Sequence, residues 1–443
     1  MTGARPPAHR VVIVGGGAGG LPLAAELGRK HRRRGDVHVA LVDPLPTHVW
    51  KPLLHEVAAG RMDADAHEIE YAALAYRCGF TFRQGAMIGL DRAHRSIRVA
   101  PVHDEDGEEI LPERELPYDT LVIAVGSESN DFNVPGVAAH AIPIDTPVDA
   151  ERFHRKLLAA SMRANARKGQ AGEGHVDIVI IGAGATGVEL AAEIRQTTKM
   201  HAAYGLDRLD PLRDVRITLV EAAPRILPPL SEAIATAASA LLERLSVDVR
   251  VARKVTEVTA NAVHAGSEVF PADLVAWAAG IRAPAWLAGL DGLETNRANQ
   301  LVARTTLQTT RDDDVFALGD CAACPWPEAG REGAILPPRA QVAHQQAEML
   351  VRTVAARVAG GSLPVFRFRD YGSLVSLGEL SAVGNLMGRL VGRNLFVQGL
   401  IARLMYASLY KLHQRSLFGT LAVVLDTIGR FLRGGVEPRV KLH

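Results

Sequence analysis

The sequence predicts an α/β chain with two parallel-sheet units, and two observations carry that expectation. A buried β-branched run, a glycine-rich turn and a helix-forming stretch stand in that order at the N-terminus. The same order returns near the middle of the chain. The first copy reads VVIVGGGAGG from Val11 to Gly20. Val11 to Val14 form a fully buried strand. Gly15, Gly17 and Gly20 follow in G-x-G-x-x-G register, with Ala18 and Gly19 inside it, and Leu21, Leu23, Ala24, Ala25 and Leu27 continue as helix. The first glycine permits a tight turn, and the second lets a pyrophosphate approach the backbone. The third lets helix and strand pack closely, and the helix N-terminus receives negative charge. A second strand, Val37 to Val42, ends on Asp43, at about the 20-residue spacing of an acid that binds a ribose.

The second copy begins with a strand from Val176 to Ile181. Gly182, Gly184 and Gly187 follow, with Ala185 and Thr186 between them, in GAGATGVEL. Arg216 to Val220 is its second strand, and Glu221 is the terminal acid. Two complete Rossmann-like fingerprints are far more specific than one. A carboxylate at Glu221 accepts hydrogen bonds from both ribose hydroxyls and repels a 2′-phosphate, which favours NADH over NADPH, although Arg225 stands close by. The buried strand YDTLVIAVG closes the first half-unit and turns at Gly126, and LVAWAAG closes the second at Ala279 and Gly280. Thr146 to Arg167 is helical in composition, and 169–174 reads as a loop. The expected division is 1–145 for the first nucleotide unit, 146–298 for the second, 299–390 for a return to the first, and 391–443 for a separate C-terminal region.

The net charge of +1 gives no reason to expect nucleic-acid binding, and the apolar fraction of 48% is ample for real cores. Cys78, Cys321 and Cys324 are too few for a disulfide framework, so a reducing compartment is expected. MTGARPPAHR is too short and polar for a secretory leader. No run of 18 apolar residues occurs, so no spanning helix is expected. The charge is unevenly spread. From Arg389 onward the bases are Arg389, Arg393, Arg403, Lys411, Arg415, Arg430, Arg433, Arg439 and Lys441, against the acids Asp426 and Glu437. That segment carries +7, leaving −6 for the rest.

Between and beyond the two fingerprints lie the remaining candidate groups. In THVWKPLLHEVAAG, from Thr47 to Gly60, Pro52 interrupts a helix; Trp50, Leu53 and Leu54 are core, or the backbone from Lys51 to His55 lines a flavin. No cysteine stands between Asp43 and Arg77, so no redox dithiol belongs there. Asp104 to Glu115 reads as a solvated hairpin loop. Glu189 lies in the first turn of the second nucleotide helix, either as a capping glutamate or as a carboxylate aimed at a flavin–nicotinamide junction. Asp320 follows a strand and Gly319 at the usual ligand side of an α/β sheet, where it can hydrogen-bond a ribityl chain. Cys321 and Cys324 make a C-x-x-C without a second pair at zinc spacing, so no metal site is expected. PPRAQVAHQQAEM, from Pro337 to Met349, is a proline-led helix. Gln341 and Gln345 share one of its faces, with His344 beside them. Two amides so placed suit a quinone carbonyl, a flavin pyrimidine edge, or an ordinary polar face.

The tail carries two helical stripes. One runs through Val397, Leu400, Ile401, Leu404, Met405, Leu409 and Leu412, the other through Leu417, Leu421, Val424, Leu425, Ile428 and Leu432. With the +7 charge they read as basic amphipathic helices on an anionic membrane surface. The alternatives are a homodimer surface or a helical cap on the core.

These residues carry a resemblance over nearly the whole chain. It rests on VVIVGGGAGGL, WKPLLHEVAAG, IIGAGATGVELAAE, LVAWAAGIRAP, FALGDCAACPWP, PPRAQVAHQ, YGSLVSLG, LYKLHQRSLFG and the closing VKLH. The chain resembles type II NADH dehydrogenase, the single-subunit, non-proton-pumping NADH:quinone oxidoreductase of respiratory membranes. The resemblance implies a glutathione-reductase-like flavoprotein with a discontinuous FAD domain, an NADH domain and C-terminal membrane-associated helices. It implies that FAD lies on Gly15 to Gly20, with its ribose on Asp43, its ribityl chain near Asp320, and Lys51, Gly126 and Ala340 around it. NADH would lie across Gly182 to Gly187 and Glu221, with Ala279, Gly280 and Glu189 completing its site. Gln341 and Gln345 match the family's quinone-site glutamines, with His344 beside them, and Glu189 matches its glutamate near the flavin. Glu189, Gln341 and Gln345 would then be the catalytic set. Hydride would pass from NADH to flavin and two electrons from flavin to a membrane quinone, with ubiquinone expected. The implied location is peripheral, on the cytoplasmic face of a bacterial inner membrane. One departure stands out: many members carry a lysine where this chain has Tyr371, so that lysine's role does not transfer. Two rivals are a sulfide:quinone oxidoreductase, which needs cysteines near the flavin from separate segments, and a signalling flavoprotein like the apoptosis-inducing factor family.

Overall fold

A computed structural model describes residues 7–171, 174–376, 382–386, 395–398, 400–433 and 440. β1 (His9–Val14) lies inside a six-stranded sheet, and Val11 to Val14 are buried because both of its faces are covered. α1 (Gly20–His31) crosses over to β2 (Val37–Asp43), parallel to β1 with Val11 opposite Val39. α2 (Leu54–Ala58) and α3 (Tyr71–Cys78) intervene before β3 (Thr81–Gln84), which extends the sheet beyond β2. β4 (Thr120–Ile123) pairs in parallel with the other edge of β1. The stretch read as a hairpin loop is only partly loop: Glu109–Leu111 pairs with Val102–His103, and Arg114–Pro117 with Ser96–Val99.

The chain then builds a second sheet. β5 (Ala141–Pro143), α4 (Pro147–Ala171), β6 (Val176–Ile181), α5 (Ala185–Ala203), β7 (Val215–Val220), α6 (Glu232–Arg244), β8 (Val247–Arg250) and β9 (Leu274–Trp277) follow in sequence. The five strands are parallel, in the order β5-β9-β6-β7-β8. β5 brings 141–143 into this sheet, just ahead of the 145/146 division drawn from sequence. α4 runs to Ala171, into the stretch read as loop. Gly169 costs a helix only about 1 kcal/mol, and the Lys168–Asp214 ion pair ties the last turns to the start of β7.

β10 (Gln308–Thr309) and β11 (Asp312–Ala317) return to the first sheet, β11 parallel to β4 and β10 antiparallel at the edge. α7 (Ala340–Val358) packs against α1. It begins at Ala340 rather than at the prolines: Pro338 keeps Pro337 out of the helical region, and Arg339 is an extended N-cap residue. β12 (Gly372–Ser376), β13 (Ala382–Leu386) and β14 (Leu395–Gln398) form an antiparallel sheet. α8 (Leu400–Phe418) and α9 (Thr420–Arg433) complete the fold as a hairpin. Arg389, Arg393, Glu437, Arg439, Lys441 and the closing KLH lie outside the described residues, as do the side chains of Val397, Leu400, Ile401, Arg403, Leu404, Met405, Arg430, Leu432 and Arg433.

Two linkages hold the units together. Leu54, Val57, Ala58 and Ala64 belong to the first unit by sequence, yet they pack in the core of the second, against Phe153, Leu157 and Leu190. Within the second unit, Arg195 on α5 is fully buried. Its guanidinium donates to Leu245 O at 2.7 Å, Val215 O at 2.9 Å, Ser246 O at 2.9 Å, and Pro211 O. Leu245 and Ser246 end α6, where a cation complements the helix dipole. Desolvation lowers this group only to about 10, so it stays charged at neutral pH. Arg195→Met should leave these carbonyls unbonded and cost about 3–5 kcal/mol. A fall in the urea midpoint reads this directly, and Arg195→Lys should recover only part of it.

Candidate functional site

The two glycine turns are built alike. Gly15 and Gly182 have positive φ, +101° and +100°, and each packs against the turn after the neighbouring strand, Ala124–Val125 and Ala278–Ala279 respectively. A β-carbon on Gly20 would overlap the carbonyl oxygen of Gly15, and one on Gly187 that of Gly182. Gly17 and Gly184 differ: a β-carbon there would meet nothing within 4 Å. Neither α1 nor α5 has a side-chain cap, so their leading N–H groups are left for another acceptor beside that open space. A phosphate group suits both places. Ala18 is half-buried there, and Ala185 and Thr186 are exposed.

Each turn is held by its strand-end acid. Gly16 N donates to Asp43 Oδ2 at 2.7 Å, and Ala183 N to Glu221 Oε2 at 2.7 Å. The second oxygens accept from Leu45 N at 3.0 Å and Ala223 N at 2.8 Å. Burial pushes the Asp43 carboxyl upward. Arg225 turns to the backbone carbonyls of Leu227, Pro228 and Leu230.

Asp320 sits across the first sheet's ligand edge. Ser127 Oγ donates to its Oδ2 at 2.8 Å, while Lys51 Nζ donates to Ser127 O at 2.8 Å and pairs with Asp145 at 3.1 Å. Burial raises the Asp320 carboxyl. Beside it, a β-carbon on Gly126 would meet nothing within 4 Å. Ala340, half-buried, starts α7, and Ala343 one turn on packs near both Gly19 and Gly319. Leu53 and Leu54 are buried, which settles their side chains as core. Sequence reading missed Gln346. It is 1% exposed, and its Oε1 accepts from Gly319 N at 2.7 Å, fixing the turn that carries Asp320. Its signal was a lone amide on the helix face of Val342, Ala343, Ala347 and Leu350.

Glu189 lies in the second turn of α5 rather than the first, because the helix starts at Ala185, and it is buried, so it is neither a solvated nor a capping glutamate. Ser376 N donates to its Oε1 at 2.9 Å, and His55 Nδ1 lies 3.5 Å from its Oε2. Three distant segments therefore meet there: α2, α5 and β12. Burial lowers His55 to about 4, so it is neutral at pH 7. One turn further along α5, Glu193 pairs with Arg61 at 2.9 Å. Gln341 and Gln345 do share a face, and both bond 369–372. Gln341 Nε2 donates to Gly372 O at 3.1 Å and Asp370 Oδ1 at 3.3 Å, and its Oε1 accepts from Tyr371 N at 3.3 Å. Gln345 exchanges both bonds with Arg369, at 2.8 and 3.0 Å. His344 stands apart from this pair, 3.5 Å from Glu348. Tyr371, at 57% exposure, lies beside the glutamines. Gly280 packs against the Phe132 ring of the first unit, so Ala279 and Gly280 lie where the two units meet.

Cys321 and Cys324 are both buried but belong to the cores on opposite faces of the first sheet. Burial pushes both thiols up to about 12, the opposite of a reactive pair. On the hairpin, Leu409, Leu412, Leu421, Val424, Leu425 and Ile428 are exposed, whereas Leu417 is 1% exposed within the core that holds α1. Among the described residues no helix is long and apolar enough to cross a membrane.

Residues 9–347 match the family model described as pyridine nucleotide-disulphide oxidoreductase. A type II NADH:quinone oxidoreductase of Haemophilus influenzae is 41% identical, over 98% of this chain and 99% of that protein. Among solved structures, Plasmodium falciparum NDH2 in complex with NADH superposes with a TM-score of 0.79 at 18% identity, covering 98% of this chain and all of that one. The sulfide:quinone oxidoreductase of Aquifex aeolicus follows at 0.71 and 17%, covering 97% and 96%. At such identities the structural likenesses speak for the fold, but the full-length relative and the family model go further: the chain belongs to the type II NADH:quinone oxidoreductase family, among the pyridine nucleotide-disulphide oxidoreductases.

Proposed function

We propose that the protein is an FAD-dependent NADH:quinone oxidoreductase that works on a membrane surface without pumping protons. The observation that carries this reading is the pair of matched turns, each with an open second glycine, an uncapped helix and a strand-end acid. The residues fit an FAD on Gly15 to Gly20, Asp43 and Asp320, with Lys51, Gly126 and Ala340 around it. When bound, FAD would supply the hydride acceptor and the two-electron donor. Gly182 to Gly187 would hold the NADH pyrophosphate, with Ala279 and Gly280 closing the site. Glu221 would accept its ribose hydroxyls and repel a 2′-phosphate, and Arg225, already engaged with backbone, would not offset that repulsion.

Gln341 and Gln345 would exchange their bonds to 369–372 for a quinone carbonyl, with ubiquinone the expected substrate and His344 at the margin. Reducing a quinone takes up protons as well as electrons. Glu189, buried beside His55, is the carboxyl we assign to hold one of them, at Oε2. His55 is a titratable neighbour of Glu189. The exposed apolar face of α8 and α9 would lie in the headgroup region of an anionic membrane, peripheral and on the cytoplasmic side. The sulfide reading loses support because both candidate thiols are buried on opposite sheet faces.

Anaerobic stopped-flow absorbance tests the reaction. NADH should bleach the flavin quickly, and a soluble ubiquinone analogue should restore its colour. Bleaching without recovery would return Gln341, Gln345 and the acceptor to question, and bleaching by sulfide alone would favour the rival. Glu221→Ala should raise KM for NADH about tenfold with kcat little changed, the loss of one good hydrogen-bonded contact; unchanged NADH kinetics would defeat that assignment.

For the membrane surface, the variant Leu421→Asp/Leu425→Asp/Ile428→Asp should weaken flotation with anionic vesicles at least a hundredfold, since each buried Leu or Ile contributes about 1.5–3 kcal/mol. NADH-driven bleaching should be unaffected. Undiminished flotation would mean that this face is not the anchor.

A further inference from the structure

His413 lies on the membrane hairpin, far in sequence from either glycine turn, yet it is only 3% exposed. Its Nε2 is 3.1 Å from Nε2 of His48, itself 4% exposed. Two imidazole nitrogens this close must act as one donor and one acceptor. The His48 ring lies against the Tyr71 ring, centroids 6.4 Å apart, and Tyr71 OH donates at 3.0 Å to the carbonyl of Gly16, the residue between the first two glycines of the turn. Gly16 N donates to Asp43, so the groups of Gly16 are held on both sides, by Asp43 at the nitrogen and by Tyr71 at the carbonyl. The His413–His48 contact therefore reaches the Gly16 carbonyl through Tyr71.

The rest of the contact is equally specific. The Trp50 ring stacks on His413 with centroids 3.9 Å apart. Arg29, in the last turn of α1, donates to Ser416 O at 2.7 Å and Leu417 O at 3.0 Å, capping the end of α8. Leu417 is buried in the core shared with α1. The hairpin is thus docked on the helix that leads from the phosphate turn, and a chain of ring and hydrogen-bond contacts runs from His413 through His48 and Tyr71 to the turn itself.

We propose that His413 and His48 are positioning residues for the FAD phosphate turn, so that docking of the membrane hairpin and retention of the flavin are coupled. This rests on the placement of FAD at Gly15 to Gly20. Without the His413 partner, His48 is free to rotate away from Tyr71, and the bond that Tyr71 gives the Gly16 carbonyl is held less firmly. Coupling of this kind is reciprocal: whatever hairpin docking adds to flavin affinity, the flavin adds to hairpin docking.

The full-length holoenzyme tests this through flavin release, followed by the rise in FAD fluorescence after dilution. His413→Phe keeps a ring against Trp50 but has no N–H, and it should release FAD about tenfold faster. His413→Gln keeps a donor and should stay within about threefold of the unmodified protein; both figures are order-of-magnitude expectations for one hydrogen bond. In the unmodified protein, amides of α8 should exchange with deuterium more slowly with FAD than after its removal. Gly17→Val, which fills the open space beside the turn, should abolish FAD binding. Normal FAD binding by Gly17→Val would overturn the placement on which the proposal rests. Loss in Gly17→Val, with wild-type release from His413→Phe or with α8 exchange indifferent to FAD, would overturn the coupling alone.

Discussion

A β-carbon cannot be added at Gly20 or at Gly187 without striking the carbonyl oxygen of the first glycine in the same turn. That steric limit is what the rest of the architecture depends on. It lets each helix start against its own strand, so that uncapped N–H groups emerge at the sheet edge rather than above it. The open second glycine then leaves those groups reachable, and the strand-end acid sets the turn by binding its middle amide. Two copies of one backbone solution thus prepare two anion-binding places in a single chain. Chemistry between two dinucleotides needs them to face each other, and this is left to contacts that are not local.

Those contacts explain why some of the site was legible in the sequence and some was not. Strands, turns and terminal acids follow from neighbours a few residues apart, so Val11 to Asp43 and Val176 to Glu221 could be read directly. Gln341 and Gln345 could be placed on one face by helical spacing alone. Their bonding to 369–372 could not be, because it joins residues 24 to 31 positions apart. Gln346 was missed because its bond to Gly319 joins residues 27 positions apart. The reading of Glu189 stayed open for the same reason: its partners, His55 and Ser376, come from opposite ends of the chain. Helix ends were the weakest point, since Gly169 was overruled by the Lys168–Asp214 pair and the prolines before α7 were read one step too early.

Segment 54–64 has a clear physical role in this arrangement. It departs from the first unit after Asp43, crosses to the second and buries Leu54, Val57, Ala58 and Ala64 against α4 and α5. On the way it delivers His55 to Glu189 and Arg61 to Glu193. Two buried carboxylates on one helix face are unfavourable without such partners. The apolar packing of this segment and the polar pairing it supplies are therefore one device: the first holds the two units in register, and the second makes the carboxylates tolerable where the units meet.

The hairpin shows the same economy. A surface made only to enter lipid would expose its whole apolar stripe, and a cap made only to complete a core would bury it. α8 and α9 do both. Leu421, Val424, Leu425 and Ile428 face outward, while Leu417 and His413 on the preceding helix face inward. Because Arg29 caps α8 from α1, the inward face cannot leave without opening a core that also supports the phosphate turn. On the proposed function, membrane attachment through the outward face would pull on the flavin-binding unit itself and not on a flexible tether. For an enzyme that takes a lipid-soluble acceptor, that rigidity would have a direct use: it would give the unit one fixed pose against the surface from which the acceptor arrives.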